Sequence, residues 1–133
     1  MRVFFDTNVL VSALTTRGLC AELHERVVLS HDLILGEPVV EELLRILADK
    51  LKVPLTGLKQ ARLALDGLEF APSSTTPLRI AFKDPDNIPI LACAVAAKAD
   101  VFVTGDKALL QLGEIEGIAI LSPRQMWEKL AGL

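Results

Sequence analysis

The chain has 133 residues, 51% of them hydrophobic and only 5% aromatic, with no tyrosine. That length favours a single domain over residues 1–133, able to bury roughly two-thirds of its unfolded surface around a core of Leu, Ile, Val and Ala. A formal net charge of −3 excludes a global basic field, and with it a tight, non-specific coat on nucleic acid, though not brief contact with it.

Val3, Phe4 and Phe5 predict a short strand that ends at Asp6, Thr7 and Asn8, where the chain turns into a helix beginning at Val9. A carboxylate at such a turn serves as a helix cap or, in an open α/β sheet, faces the crevice where ligands bind. Thr15 to Gly18 breaks the helical pattern before Leu19, Leu23 and Val27 resume it. His24 and His31 lack any metal-ligand spacing and are expected at the surface or at helix ends. Cys20 and Cys93 sit among apolar residues and read as reduced core cysteines of a cytoplasmic protein. With no signal-peptide pattern and no run of about 18 apolar residues, no membrane partner is expected.

Leu33 to Leu35 predict a second strand, and Glu37-Pro38 starts a helix through Val40, Leu43, Leu44, Leu47 and Leu51, with Glu41 and Glu42 beside its apolar stripe. Val53 to Gly57 is expected to interrupt the pattern before a helix marked by Leu58, Ala61, Leu65 and Leu68. A weak strand follows at residues 69–71, then a loop over Pro72 to Pro77. Asp84, Asp86 and Asn87 cluster before an alanine-rich helix carrying Ile90, Leu91, Ala94 and Val95, where capping alone would also account for them. Val101 to Val103 repeat the opening theme, closing on Thr104, Gly105 and Asp106 before a helix at Lys107. Ile118 to Leu121 form the last strand, and Ser122 to Gln125 form a capping box for a final helix through Met126, Trp127 and Leu130. Strands alternating with helices, without a tight hairpin signal, predict an α/β fold: a three-layer α/β/α sandwich around a mostly parallel sheet.

Asp6 and Asp106 then leave the same sheet edge, and Asp84, Asp86 and Asn87 join it if their helix starts there. Converging carboxylates repel unless a cation neutralises them, and Mg²⁺ or Mn²⁺ suits an all-oxygen donor set. Thr7, Asn8 and Thr104 could orient water or ligands behind them, and such a metal activates water for attack on a phosphodiester. Arg17, Lys83 and Lys107 are candidate phosphate contacts, or ordinary solvated charges.

Four stretches together, Phe5 to Leu10, Glu41 to Leu44, Asp84 to Asn87 with its alanine-rich helix, and Ala99 to Lys107, resemble the PIN-domain family. More narrowly the chain is similar to VapC-like toxins of toxin–antitoxin pairs. The resemblance implies a parallel sheet flanked by helices and a metal-dependent endoribonuclease acting on RNA, paired with an antitoxin protein. It implies Asp6, Glu42 and Asp106 as the first, second and fourth acids, with Glu42 preferred to Glu41 because the family's acid directly precedes the leucine of its helix. At the third position the family carries Asp where this chain has Asn87, an amide that keeps a donor oxygen but loses the charge. Asp86 or Asp84 would then compensate as ligand, or activity would be reduced, leaving a scaffold that binds RNA or antitoxin without cutting. Apolar residues beyond the needs of one core, between Leu19 and Leu68, suggest a homodimer face or a seat for an antitoxin helix.

Overall fold

The computed structural model describes residues 1–75, 78, 85 and 87–133. Lys83, Asp84 and Asp86, with part of the expected 72–77 loop, lie outside the described residues. Strands β1 (Arg2–Phe5), β2 (Asp32–Gly36), β3 (Glu69–Ala71), β4 (Val101–Val103), β5 (Glu114–Ile115) and β6 (Ile118–Leu121) form one sheet in the order β3-β2-β1-β4-β6-β5. All pairings are parallel except β5 with β6. The helices are α1 (Thr7–Thr15), α2 (Leu19–Ser30), α3 (Glu37–Arg45), α4 (Leu55–Ala64), α5 (Ile88–Ala96), α6 (Lys107–Leu112) and α7 (Pro123–Leu130).

Consecutive strand residues point to opposite faces, yet Val3, Phe4 and Phe5 of β1 and Val101, Phe102 and Val103 of β4 are all buried. Both faces of the central strands are therefore covered, which is what separates a three-layer sandwich from a one-sided sheet. Phe4 and Phe102, register partners on β1 and β4, stack with centroids 5.5 Å apart. Against the Phe4 ring Gly36 leaves no room for a side chain: an added Cβ would lie 2.5 Å from Phe4 Cζ and 3.2 Å from Cys93 Sγ. At the other edge of the sheet Arg2 binds Glu69 through two hydrogen bonds of 2.9 and 2.6 Å, tying β1 to the outermost strand β3 across β2.

Several expectations are revised. A tight hairpin is present: Glu114 pairs with Ala119 and Ile115 with Ile118, leaving Glu116-Gly117 as a two-residue loop. Both loop residues have positive φ, 45° and 86°, as a right-handed hairpin twist requires. Glu-Gly carries a weak turn signal because Glu rarely adopts that conformation. The break expected over Val53 to Gly57 ends at Pro54, whose carbonyl accepts from Leu58 N–H as the N-cap of α4; Gly57 lies inside the helix. After α3 the helix widens into a π-helical turn, Ile46–Lys50, closed by Leu51 N–H to the Ile46 carbonyl. His31 does end α2, its Nδ1 3.2 Å from the Met1 amino group. His24 instead packs inward: its Nε2 is buried with no hydrogen-bond partner among the described residues, and its ring centroid is 6.3 Å from that of Phe5. Burial accordingly lowers its pKa. Cys20 and Cys93 are free thiols, half-buried and buried. Among the described residues no helix is long and apolar enough to cross a membrane.

Candidate acidic site at the sheet's switch point

From β1 the sheet continues to β2 and β3 on one side and to β4 and β6 on the other, so the direction of strand addition reverses between β1 and β4. In open α/β sheets the crevice beyond the carboxyl ends of the strands at such a reversal is where ligands bind. β1 and β4 stay in register to their last residues, Phe5 beside Val103, and the next backbone bond runs from Asp6 N–H to the Val103 carbonyl at 2.9 Å. Asp6 and Thr104 therefore open this crevice side by side.

Asp6 is the N-cap of α1 and is 6% exposed. Its Oδ1 accepts from Thr7 N–H at 2.8 Å and its Oδ2 from the Thr104 hydroxyl at 2.7 Å. Thr104 Oγ1 in turn accepts from Asp106 N–H at 3.0 Å, so one hydroxyl braces both acidic positions. Asp106 is the N-cap of α6, with Oδ1 accepting from Leu109 N–H at 3.1 Å. Its Oδ2 lies 3.5 Å from Asn87 Nδ2, a long contact that brings the start of α5 to the same place. Burial is the main force raising the Asp6 pKa, and the Asp106 charge adds to it, while the bonds from Thr104 and Thr7 oppose the rise. A buried carboxylate beside a second one is costly to ionise unless a cation neutralises the pair. The donors are two carboxylates and an amide, the hard-oxygen set that Mg²⁺ or Mn²⁺ prefers. Thr7 Oγ1, buried beside Asp6, has no hydrogen-bond partner among the described residues, and a buried orphan hydroxyl is one that a water or ion satisfies.

Glu42 is joined to this pair by no hydrogen bond among the described residues. It is half-buried on α3 and lines a cleft of about 440 Å³ walled by Pro38, Glu41 and Arg45 on one side and Pro85, Pro89 and Ile90 on the other. Among the described lining residues neither Asp6 nor Asp106 appears, and no three His, Cys, Asp or Glu side chains converge into a metal-holding group among the described residues. The two features meet at α5: Asn87 bonds Asp106, while Pro89 and Ile90, one turn on, wall the Glu42 cleft. Asp6, Thr104, Asp106 and Asn87 are thus brought together. Asn8 is exposed on α1, and Lys107 is exposed directly after Asp106. Arg17 sits on the exposed link between α1 and α2. Arg45, on the wall of the Glu42 cleft, belongs to none of the sequence motifs, although it follows Glu42 by three positions on one helix face.

An open, mostly parallel sheet with an acid pair at its switch point defines the class of protein. The family model for the PIN domain matches residues 2–108, and the chain belongs to that family. In three dimensions the chain is similar to one in the crystal structure of VapBC2 from Rickettsia felis bound to a DNA fragment from its promoter. The TM-score is 0.70 at 16% identity, over 92% of this chain and 98% of the other. No curated protein matches the chain.

Proposed function

We propose that the chain is a Mg²⁺- or Mn²⁺-dependent endoribonuclease that hydrolyses RNA phosphodiesters, acting as the toxin of a toxin–antitoxin pair in the cytoplasm. The observation that carries this reading is the pairing of Asp6 and Asp106 through Thr104 at the switch point. Asp6 and Asp106 would hold the cation, with Glu42, Asp86 or Asp84 completing the ligand set and the Asn87 amide oxygen standing in for the family's third acid. A cation bound there would supply activation of a water and charge stabilisation on the phosphodiester. The chain's own contribution is orientation. Thr104 fixes the rotamer of Asp6 while holding Asp106 N–H, and α1 and α6 begin on the two acids, so neither carboxylate is free to turn away. Lys107 and Arg17, with Lys83, are offered as phosphate contacts.

The VapBC2 likeness supports an antitoxin partner, and the exposed apolar side chains of Leu51, Leu55, Leu63 and Phe70 offer surface for an antitoxin helix or a second copy of the chain. The deciding experiment incubates purified protein with single-stranded RNA, with and without Mn²⁺. Cleavage that needs Mn²⁺ and disappears in Asp6→Ala supports the reading; no cleavage by the wild type, with cleavage restored by Asn87→Asp, overturns it. That second outcome favours the other reading, a PIN scaffold that binds RNA or antitoxin without cutting. The observation behind it is that Asn87 spends its amide donor on Asp106 instead of adding a charge.

A further inference from the structure

The cleft that holds Glu42 does not end at Arg45. Glu42 and Arg45 also line a second hollow of about 240 Å³, whose other walls are Ile46, Asp49 and Lys50. The two side chains therefore form a shared rim between neighbouring depressions on the outer side of α3, giving one groove that runs from Pro85 and Pro89 to Lys50. The π-helical turn is what completes it. In an α-helix a residue five positions on points well away from its predecessor. A turn closed by i→i+5 bonds takes roughly one residue more, so the fifth residue returns near the starting face. Arg45 and Lys50 are five positions apart across such a turn, and both face the second hollow.

Both cations are exposed, and neither makes an ion pair among the described residues. Glu41, Glu42 and Asp49 share the groove, so its acids would repel a polyanion without the two cations. A guanidinium offers paired donors to phosphate and an ammonium a compact point charge, and the proline walls present flat apolar surface on which bases can rest.

We propose that Arg45 and Lys50 form a two-phosphate track that guides the backbone of single-stranded RNA along α3 toward Glu42 and the start of α5. This track rests on the ribonuclease reading for its ligand, and it assigns binding, not catalysis, to both residues. The test uses a short fluorescein-labelled single-stranded RNA and the full chain carrying Asp6→Asn, so that cleavage is blocked while anisotropy reports binding. Arg45→Gln and Lys50→Gln should each weaken binding about three- to tenfold, and each should lower the slope of log K against log salt by about 0.7, the value for one lost phosphate on a single strand. Lys59→Gln, the same charge change on exposed α4, is the control and should leave both quantities unchanged. The proposal is overturned if the groove variants behave like Lys59→Gln, or if the parent does not bind the RNA. A wild type that cleaves nothing with Mn²⁺ yet shows these binding losses sinks the hydrolytic reading and leaves the track standing. Cleavage by a wild type whose binding ignores both substitutions overturns the track alone.

Discussion

The Thr104 hydroxyl donates to Asp6 Oδ2 at 2.7 Å and accepts from Asp106 N–H at 3.0 Å, joining the ends of β1 and β4 through one fully buried side chain. Thr104→Val keeps the shape and removes both bonds, leaving a buried carboxylate oxygen and a backbone N–H without their partner. The expected loss is about 1–3 kcal/mol in urea unfolding, the usual cost of orphaned buried polar groups. Thr104→Ser, which restores the hydroxyl, should recover most of it. Equal losses in the two variants would mean that the methyl packing, not the bridge, matters.

Asp6 should make stability depend on pH with a definite sign. Its folded pKa lies above the ordinary carboxylate value, chiefly through burial, so the folded chain binds more protons than the unfolded one between the two values. Its contribution to stability is complete below the unfolded pKa, about 3.9, and is lost as pH rises through the folded one. Asp6→Asn should therefore be more stable than wild type at neutral pH, with the advantage shrinking toward about pH 4. Added Mn²⁺ should raise the Tm of the wild type by binding the ionised acid pair, and should leave Asp6→Asn unmoved. Thermal melts over a pH series, with and without Mn²⁺, read both effects; a variant less stable than wild type at every pH would contradict the assignment.

Asn87→Asp changes the partner of Asp106 from a donor to a like charge. In a metal-free buffer the variant should lose on the order of 1 kcal/mol through carboxylate repulsion. Titration calorimetry with Mn²⁺ should show the opposite preference, binding tighter by about tenfold, or 1.4 kcal/mol. An affinity indifferent to the substitution would place Asn87 outside the cation's reach.

What was legible in the sequence is what depends on neighbours along the chain. Polarity switches mark Asp6 and Asp106 as strand ends, and the alternation of strands and helices places both at one sheet edge. Their pairing through Thr104 follows from β1 and β4 being adjacent and in register. What was illegible depends on contacts across the fold or on a local departure from the 3.6-residue period. His24 looks like a surface residue because Glu25 and Arg26 follow it off the Leu19-Leu23-Val27 stripe, yet its ring turns toward Phe5. The Glu42 cleft could be named from one helix, but its far wall comes from residues more than forty positions later. The π-helical turn over Ile46–Lys50 moves Lys50 to the side of Arg45, a placement that straight helical counting would reject.

The β5–β6 hairpin provides a stability test away from the acid pair. Glu116 adopts φ 45° and Gly117 φ 86° in a loop whose flanking pairs, Ile115 with Ile118 and Glu114 with Ala119, fix a two-residue turn. Gly tolerates the second position freely, but a side chain with a Cβ pays for the first, roughly 1–2 kcal/mol against right-handed backbone. Asn is the residue best suited to it, because its short amide bonds the local backbone and it favours the same turn when followed by Gly. Glu116→Asn should therefore raise unfolding stability by about 0.5–1 kcal/mol, and Glu116→Val, β-branched at positive φ, should lower it by at least about 1 kcal/mol. Since the hairpin antiparallel to β6 is at the end of the sheet furthest from β3, neither variant should change Mn²⁺ affinity. Urea unfolding measures the first pair of effects and calorimetry the second. Equal stability for Asn and Val at position 116 would show that the loop relaxes out of the left-handed conformation at no cost.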